Sequence, residues 1–269
     1  MGGDTYGYRP ETVGAIDAVT RGLEVALRGV GADEITSKGP RDLVTATDVA
    51  VEDEVRRLLS ESSAVPVVGE ERGGAAPADG SPYWLLDPIC GTRNFASGLP
   101  LYSVNLALVE SGRVTVGVVG DPSTGEILVA ERGRGAWTTR DGVRRELAVS
   151  GESRIVVLDD GHSGGSRRER AATFAAGAIR ADRWDFRALG TTLSLAHVAA
   201  GRIATYLVFW GTGLHTAAGS LLAAEAGATV SDVDGQPWTI DSDSIVASAD
   251  PELHRELVGL AGSASSAAG

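Results

Sequence analysis

Long apolar runs are missing from this chain. No stretch approaches the roughly 20 residues of a membrane-spanning helix, and residues 1–10 lack the basic and apolar segments of a secretory signal. Both absences lead us to expect a cytoplasmic protein with no membrane partner. Cysteine occurs once, at Cys90, which excludes an intramolecular disulfide and any multi-cysteine zinc cluster. Lysine also occurs once, at Lys38, among 24 lysines and arginines, so a lone flexible ammonium in an arginine-filled composition draws attention to its neighbours. Positive charge is not in excess anywhere in the balance. A formal net charge of −12 argues against a nucleic-acid partner, although a local cationic pocket can still capture a phosphate or carboxylate. What remains is an ordinary globular composition, with 43% hydrophobic and 22% charged residues in a 269-residue chain, long enough for one large domain or two lobes.

Hydrophobic periodicity divides the chain near residue 149. A stripe at Val13, Ile16, Thr20, Leu23 and Leu27 predicts a first helix after Pro10, and Val51, Val55, Leu58 and Leu59 predict a second beginning near Asp48. Short strands are expected at 67–68 and 83–86, each followed by carboxylates, and residues 101–137 read as an antiparallel meander. The second half alternates: strands at 155–158, 204–209 and 245–248, helices at 169–176, 191–200 and 215–226, and a last helix capped by Asp250 with Pro251 at its first position. Residues 262–269 are small, have nothing to bury, and are expected to form a tail.

Three segments place acidic or anion-binding groups where regular elements end. The first is Lys38 followed by Asp42 to Asp48, the second Gly69-Glu70-Glu71, and the third Asp87-Pro88-Ile89-Cys90-Gly91-Thr92-Arg93-Asn94-Phe95. In the third, Gly91 permits close backbone approach, and a helix opening after it would offer free N–H groups to an anion. With Gly190-Thr191 and the segment 217–227, these motifs resemble, in order and spacing, the inositol monophosphatase family. The resemblance runs through nearly the whole chain. It implies a layered αβαβα sandwich of the inositol monophosphatase and fructose bisphosphatase type: an α+β lobe over residues 1–149, an α/β lobe over 150–269, and the site between them. It also implies a homodimer acting on a small-molecule substrate. By the same resemblance Glu70, Asp87 and the Ile89 carbonyl take the places of magnesium ligands, Asp48 and Thr92 the places of groups beside the reacting water, and Lys38, Gly91, Thr92, Gly190 and Thr191 stand near the substrate anion; Arg93, which replaces a family threonine, adds a guanidinium able to grip a carboxylate or phosphate in bidentate fashion.

The chain departs from the family pattern at several positions, Arg93 in place of a threonine among them. Cys90 and His215 stand where the pattern has aspartates serving one common magnesium ion, and Val208 stands where it has a glutamate facing a substrate hydroxyl. Thiolate and imidazole are poor ligands for Mg²⁺ but suit Zn²⁺ and related ions, so loss of the second magnesium site is expected. Three readings follow. The leading one is a thiol enzyme, in which Cys90 is activated at a helix start, His215 takes its proton, and Asp87 or Glu70 orients the imidazole; acyl transfer or acyl hydrolysis would then need no cofactor. The second is a phosphatase retaining one Mg²⁺ at Glu70 and Asp87, or holding a softer metal at Cys90 and His215. The third is a decayed site in a non-catalytic small-anion-binding protein. His162, His197 and His254 lie off the motifs and carry less weight.

Overall fold

The computed structural model describes residues 7–31, 35–37, 43–140, 142–159 and 165–266. Pro10 opens α1 (Pro10–Gly29), where its fixed φ suits the first helical position and its missing N–H removes no bond. A two-stranded hairpin, β1 (Ile35–Ser37) and β2 (Leu43–Thr45), leads into α2 (Ala46–Ser62). That helix begins with a reciprocal cap: the Thr45 hydroxyl accepts the Asp48 N–H while the Asp48 carboxylate accepts the Thr45 N–H.

A seven-stranded sheet follows, in the order β3 (Val67–Gly69), β4 (Tyr83–Cys90), β5 (Ser103–Glu110), β6 (Arg113–Asp121), β7 (Glu126–Glu131), β8 (Gly135–Arg140) and β9 (Val143–Glu146). The first pair is parallel and the rest are antiparallel; the meander expected over 101–137 is present and extends beyond those bounds, to β4 on one side and through β8 to β9 on the other. One turn of helix, α3 (Thr92–Ala96), interrupts the path from β4 to β5. The second sheet has five strands, built from β10 (Ile155–Asp159), β11 (Asp185–Arg187), β12 (Thr205–Val208), β13 (Thr229–Ser231) and β14 (Ile245–Ser248) in the order β11-β10-β12-β14-β13. Its helices are α4 (Gly165–Ala181), α5 (Leu193–Ala199), α6 (Gly213–Glu225) and α7 (Pro251–Ser266).

Side-chain alternation along the strands sorts these elements into five layers. Trp84, Leu86, Leu106 and Val118 point to α1 and α2, packing on Val19, Leu23, Val51 and Val55. Neighbours of opposite parity, Leu85, Ala107 and Val119, pack instead on Leu193, Ala217 and Leu221 of the α5–α6 layer. The other side of that layer, with Leu195, Val198 and Ala223, meets Val157, Tyr206 and Ile245 of the second sheet. Val156, Leu207 and Val246 face outward to Phe174 of α4 and Leu257 of α7. The result is the αβαβα sandwich. The close seat of α6 on the first sheet depends on Gly117, where a Cβ would lie 2.7 Å from the Ala218 carbonyl oxygen.

One expectation fails at the C-terminus: the helix begun at Pro251 continues to Ser266 instead of giving way to a tail at 262. Alanine and serine contain nothing that breaks a helix already nucleated by the Asp250 cap, whose carboxylate accepts the Glu252 and Leu253 N–H groups. Among the described residues, no helix is long and apolar enough to cross a membrane.

Candidate functional site

The site grows from the C-terminal end of β4. Asp87 and Cys90 are three positions apart, a spacing that in a regular strand sends side chains to opposite faces. Here Asp87 pairs with Asn105 and Cys90 with Ser103, so an extra residue bulges out of β4 and turns Cys90 back to the side of Asp87. The first turn of α6 delivers His215, whose Nδ1 lies 2.8 Å from Asp87 Oδ2. One ligand atom from each of Asp87, Cys90 and His215 lies within 4.8 Å of the other two. Among the described residues no other group of three or more Cys, His, Asp and Glu converges so closely, and Asp48 and Glu70 stand outside it.

Asp87 is fully buried, and its Oδ1 has no hydrogen-bond partner among the described residues. A carboxylate taken out of water in this way calls for a cation. The oxygen donors nearby in sequence fit a hard dication: the Ile89 carbonyl, Glu70 following β3, and Asp87 itself. Thr92 donates from its hydroxyl to the Ile89 carbonyl oxygen at 3.1 Å, and lies 3.3 Å from Asp48 Oδ1. Burial, with added repulsion from Glu71 and Asp87, raises the Asp48 carboxyl to about 6 in spite of its two hydrogen bonds from Thr45. Gly91, at φ 105°, makes the turn between β4 and α3, and a Cβ there would meet the Leu101 carbonyl oxygen at 2.8 Å. Arg93 is exposed on α3, and Lys38 and Asp42 lie outside the described residues, as does His162.

Two sequence expectations need correction. Gly190 and Thr191 stand by resemblance near the substrate anion, but their N–H groups do not serve it: Asp159, at the end of β10, takes them at 2.7 and 3.0 Å, with the Leu189 N–H at 3.0 Å. The internal carboxylate occupies the cradle, and the Thr191 hydroxyl donates to the Cys90 carbonyl at 2.9 Å. The activated thiol is the second. Cys90 closes a buried strand and its sulfur accepts the Thr192 N–H at 3.3 Å, with the Thr192 hydroxyl at 2.8 Å. Burial and the Asp87 charge nonetheless push the thiol well above its ordinary range, the reverse of what a thiol nucleophile requires.

Several residues that hold this arrangement escaped the sequence reading. Glu52 is fully buried one helical turn after Asp48; it accepts the N–H groups of Glu71 at 2.7 Å and Arg72 at 3.0 Å, and so fixes the loop carrying Glu70. The spacing of Asp48 and Glu52 on one helix face was the available signal. Asn94 donates to the Leu101 and Leu189 carbonyls at 2.8 and 2.7 Å, tying the β4 turn to the second half. Thr192, which bonds Cys90 and donates to the His215 carbonyl at 3.0 Å, follows Thr191 directly and carried no mark of its own.

Comparison with known proteins agrees with this geometry. The model of the inositol monophosphatase family matches residues 9–266. An inositol-1-monophosphatase of Mesorhizobium japonicum is 37% identical over 230 residues, covering 80% of this chain and 81% of that protein. The Nus factor SuhB of Haemophilus influenzae is 36% identical, with 80% of each chain covered. Among solved structures, an inositol monophosphatase of Thermotoga maritima superposes with a TM-score of 0.83 at 25% identity, covering 94% of this chain and 97% of its own. None of these relatives supports acyl transfer or a reaction without a cofactor, and the thiol reading is withdrawn on both counts.

Proposed function

Because the chain belongs to the inositol monophosphatase family, we propose that it is a metal-dependent hydrolase of small phosphate monoesters of the sugar-phosphate type. The observation that carries this reading is the buried Oδ1 of Asp87, which has no partner among the described residues, together with the Thr92–Asp48 pair. Glu70, Asp87 and the Ile89 carbonyl would hold Mg²⁺, which when bound polarises a phosphoryl group and acidifies water. The remaining work belongs to the protein. The Thr92 hydroxyl donates inward, within reach of the Ile89 carbonyl and of Asp48 Oδ1, so its oxygen can accept a hydrogen bond from a water and aim it. Asp48, raised by burial to about 6, is basic enough to receive the proton of that water. Val208, 3% exposed on β12, offers no polar contact to a substrate hydroxyl, so selection among sugar phosphates falls to other groups.

Phosphate release from a panel of sugar and cyclitol phosphates with Mg²⁺ or Mn²⁺ tests the proposal. Turnover of at least one ester is expected, with a loss of roughly 10²- to 10⁴-fold in Thr92→Ala. A folded protein that releases no phosphate from any ester with either metal would overturn it.

A further inference from the structure

Asp87 has two carboxylate oxygens in different circumstances. Oδ1 has no partner among the described residues, while Oδ2 meets His215 Nδ1 at 2.8 Å, and one ligand atom each of Asp87, Cys90 and His215 falls within 4.8 Å of the others. We propose that Asp87, Cys90 and His215 form a site for a zinc-class dication, distinct in donor chemistry from the oxygen ligands of Glu70 and Ile89.

The donor set is one carboxylate, one thiol and one imidazole within a 4.8 Å span, close enough to contract onto a single ion. Such a mixture is poor for Mg²⁺ and good for Zn²⁺, Co²⁺ or Fe²⁺. Three protein ligands leave the fourth tetrahedral position for water or a substrate oxygen, the pattern of a reactive site as opposed to a closed structural one. Access is available on the imidazole side, where His215 is 24% exposed while Asp87 is 0%. Supporting bonds are also in place: the Thr192 N–H points at the sulfur at 3.3 Å, and Asn105, opposite Asp87 on β5, donates to the Thr192 hydroxyl at 3.0 Å. On binding such an ion, Cys90 would give its thiol proton to solvent, and the imidazole of His215 would carry its one remaining proton on the ring nitrogen that does not face the ion.

The inference rests on the proposed phosphatase reading only for its chemical purpose, and it can be tested without any ester. The full chain, stripped with chelator, is titrated with Co²⁺ alone. One equivalent is expected to bind with a near-ultraviolet sulfur-to-cobalt charge-transfer band, which Zn²⁺ abolishes at equal concentration and Mg²⁺ in large excess does not. Cys90→Ser should lose the band, and His215→Ala should bind Co²⁺ at least roughly tenfold more weakly. Should either variant fail to fold, X-ray absorption on the zinc-loaded wild type replaces it, with one sulfur expected at about 2.3 Å. Co²⁺ titrations without the band, titrations identical in wild type and Cys90→Ser, or a zinc shell without sulfur would each overturn the site. None of those outcomes would touch Mg²⁺-dependent hydrolysis at Glu70 and Asp87, which the phosphate-release assay reads separately.

Discussion

Asp48 serves two ends with one side chain. Its carboxylate closes the cap of α2 through Thr45 and stands against the Thr92 hydroxyl, and burial raises it to about 6 from 3.8. A raised carboxyl takes up a proton on folding, so its contribution favours the fold at low pH and is lost as pH rises from 3.8 through about 6. At about pH 7, in the absence of metal, the charged side chain therefore costs stability on the order of 2–3 kcal/mol. Asp48→Asn keeps an acceptor for the Thr45 N–H and removes the charge. It should raise the melting temperature at neutral pH, with the gain vanishing near pH 4, while lowering phosphate-ester turnover by roughly 10²- to 10⁴-fold. Thermal melts in chelator across that pH range, beside turnover assays, check both halves; an unchanged or lower melting temperature at neutral pH would show that the carboxylate is not strained where it sits.

At the scale of elements, the site depends on how closely α6 lies on the meander. Gly117 sits in β6 under Ala218, and a methyl group there would stand 2.7 Å from the Ala218 carbonyl oxygen, closer than real contacts allow. Gly117→Ala must push α6 off the sheet or strain β6. A loss of about 1–3 kcal/mol is expected, measurable by urea denaturation, together with a displaced His215 that weakens Co²⁺ binding. Equal stability in the variant would mean that the helix yields freely. The β4 bulge is the complementary device on the sheet side, since it alone lets residues of opposite parity, Asp87 and Cys90, share a face. Neither feature shows in the one-dimensional pattern. The family motifs single out Asp87, Cys90 and His215 in the sequence, but nothing there shows that Asp159 fills the cradle at 189–191. Competition between an internal carboxylate and a substrate for the same N–H groups is decided only when β10 is laid beside them.

For the molecule as a whole, the layered fold and most helices and strands were legible, because the long central strands carry apolar residues toward two cores and the helices show one-period stripes, whereas exposed β9 and β11 carry no such signal. What stayed hidden were pairings between distant segments. His197, off every motif, meets Asp121 at 3.1 Å and links α5 to the end of β6. Burial alone would raise Asp121, but hydrogen bonds from His197 and Ser123 hold it at about 2 against an ordinary 3.8. A depressed carboxyl stabilises the fold above its unfolded pKa and loses that contribution as pH falls from 3.8 toward 2. His254 acts in the same sense at milder acidity: burial between Ser231 and Ser248 lowers its imidazole below 6.5, so stability is shed as pH drops beneath that value. His197→Gln should therefore move the steepest part of the acid unfolding curve toward higher pH, by up to about a unit, as followed by circular dichroism. An unmoved curve would assign acid stability elsewhere. The middle layer has a further consequence. α6 is covered by both sheets, its residues from Thr216 to Ala223 are buried, and His215 rides on its first turn. The amides from Thr216 to Ala223 are therefore expected to exchange slowly with deuterium, and His215, one residue before them, is anchored to that protected segment.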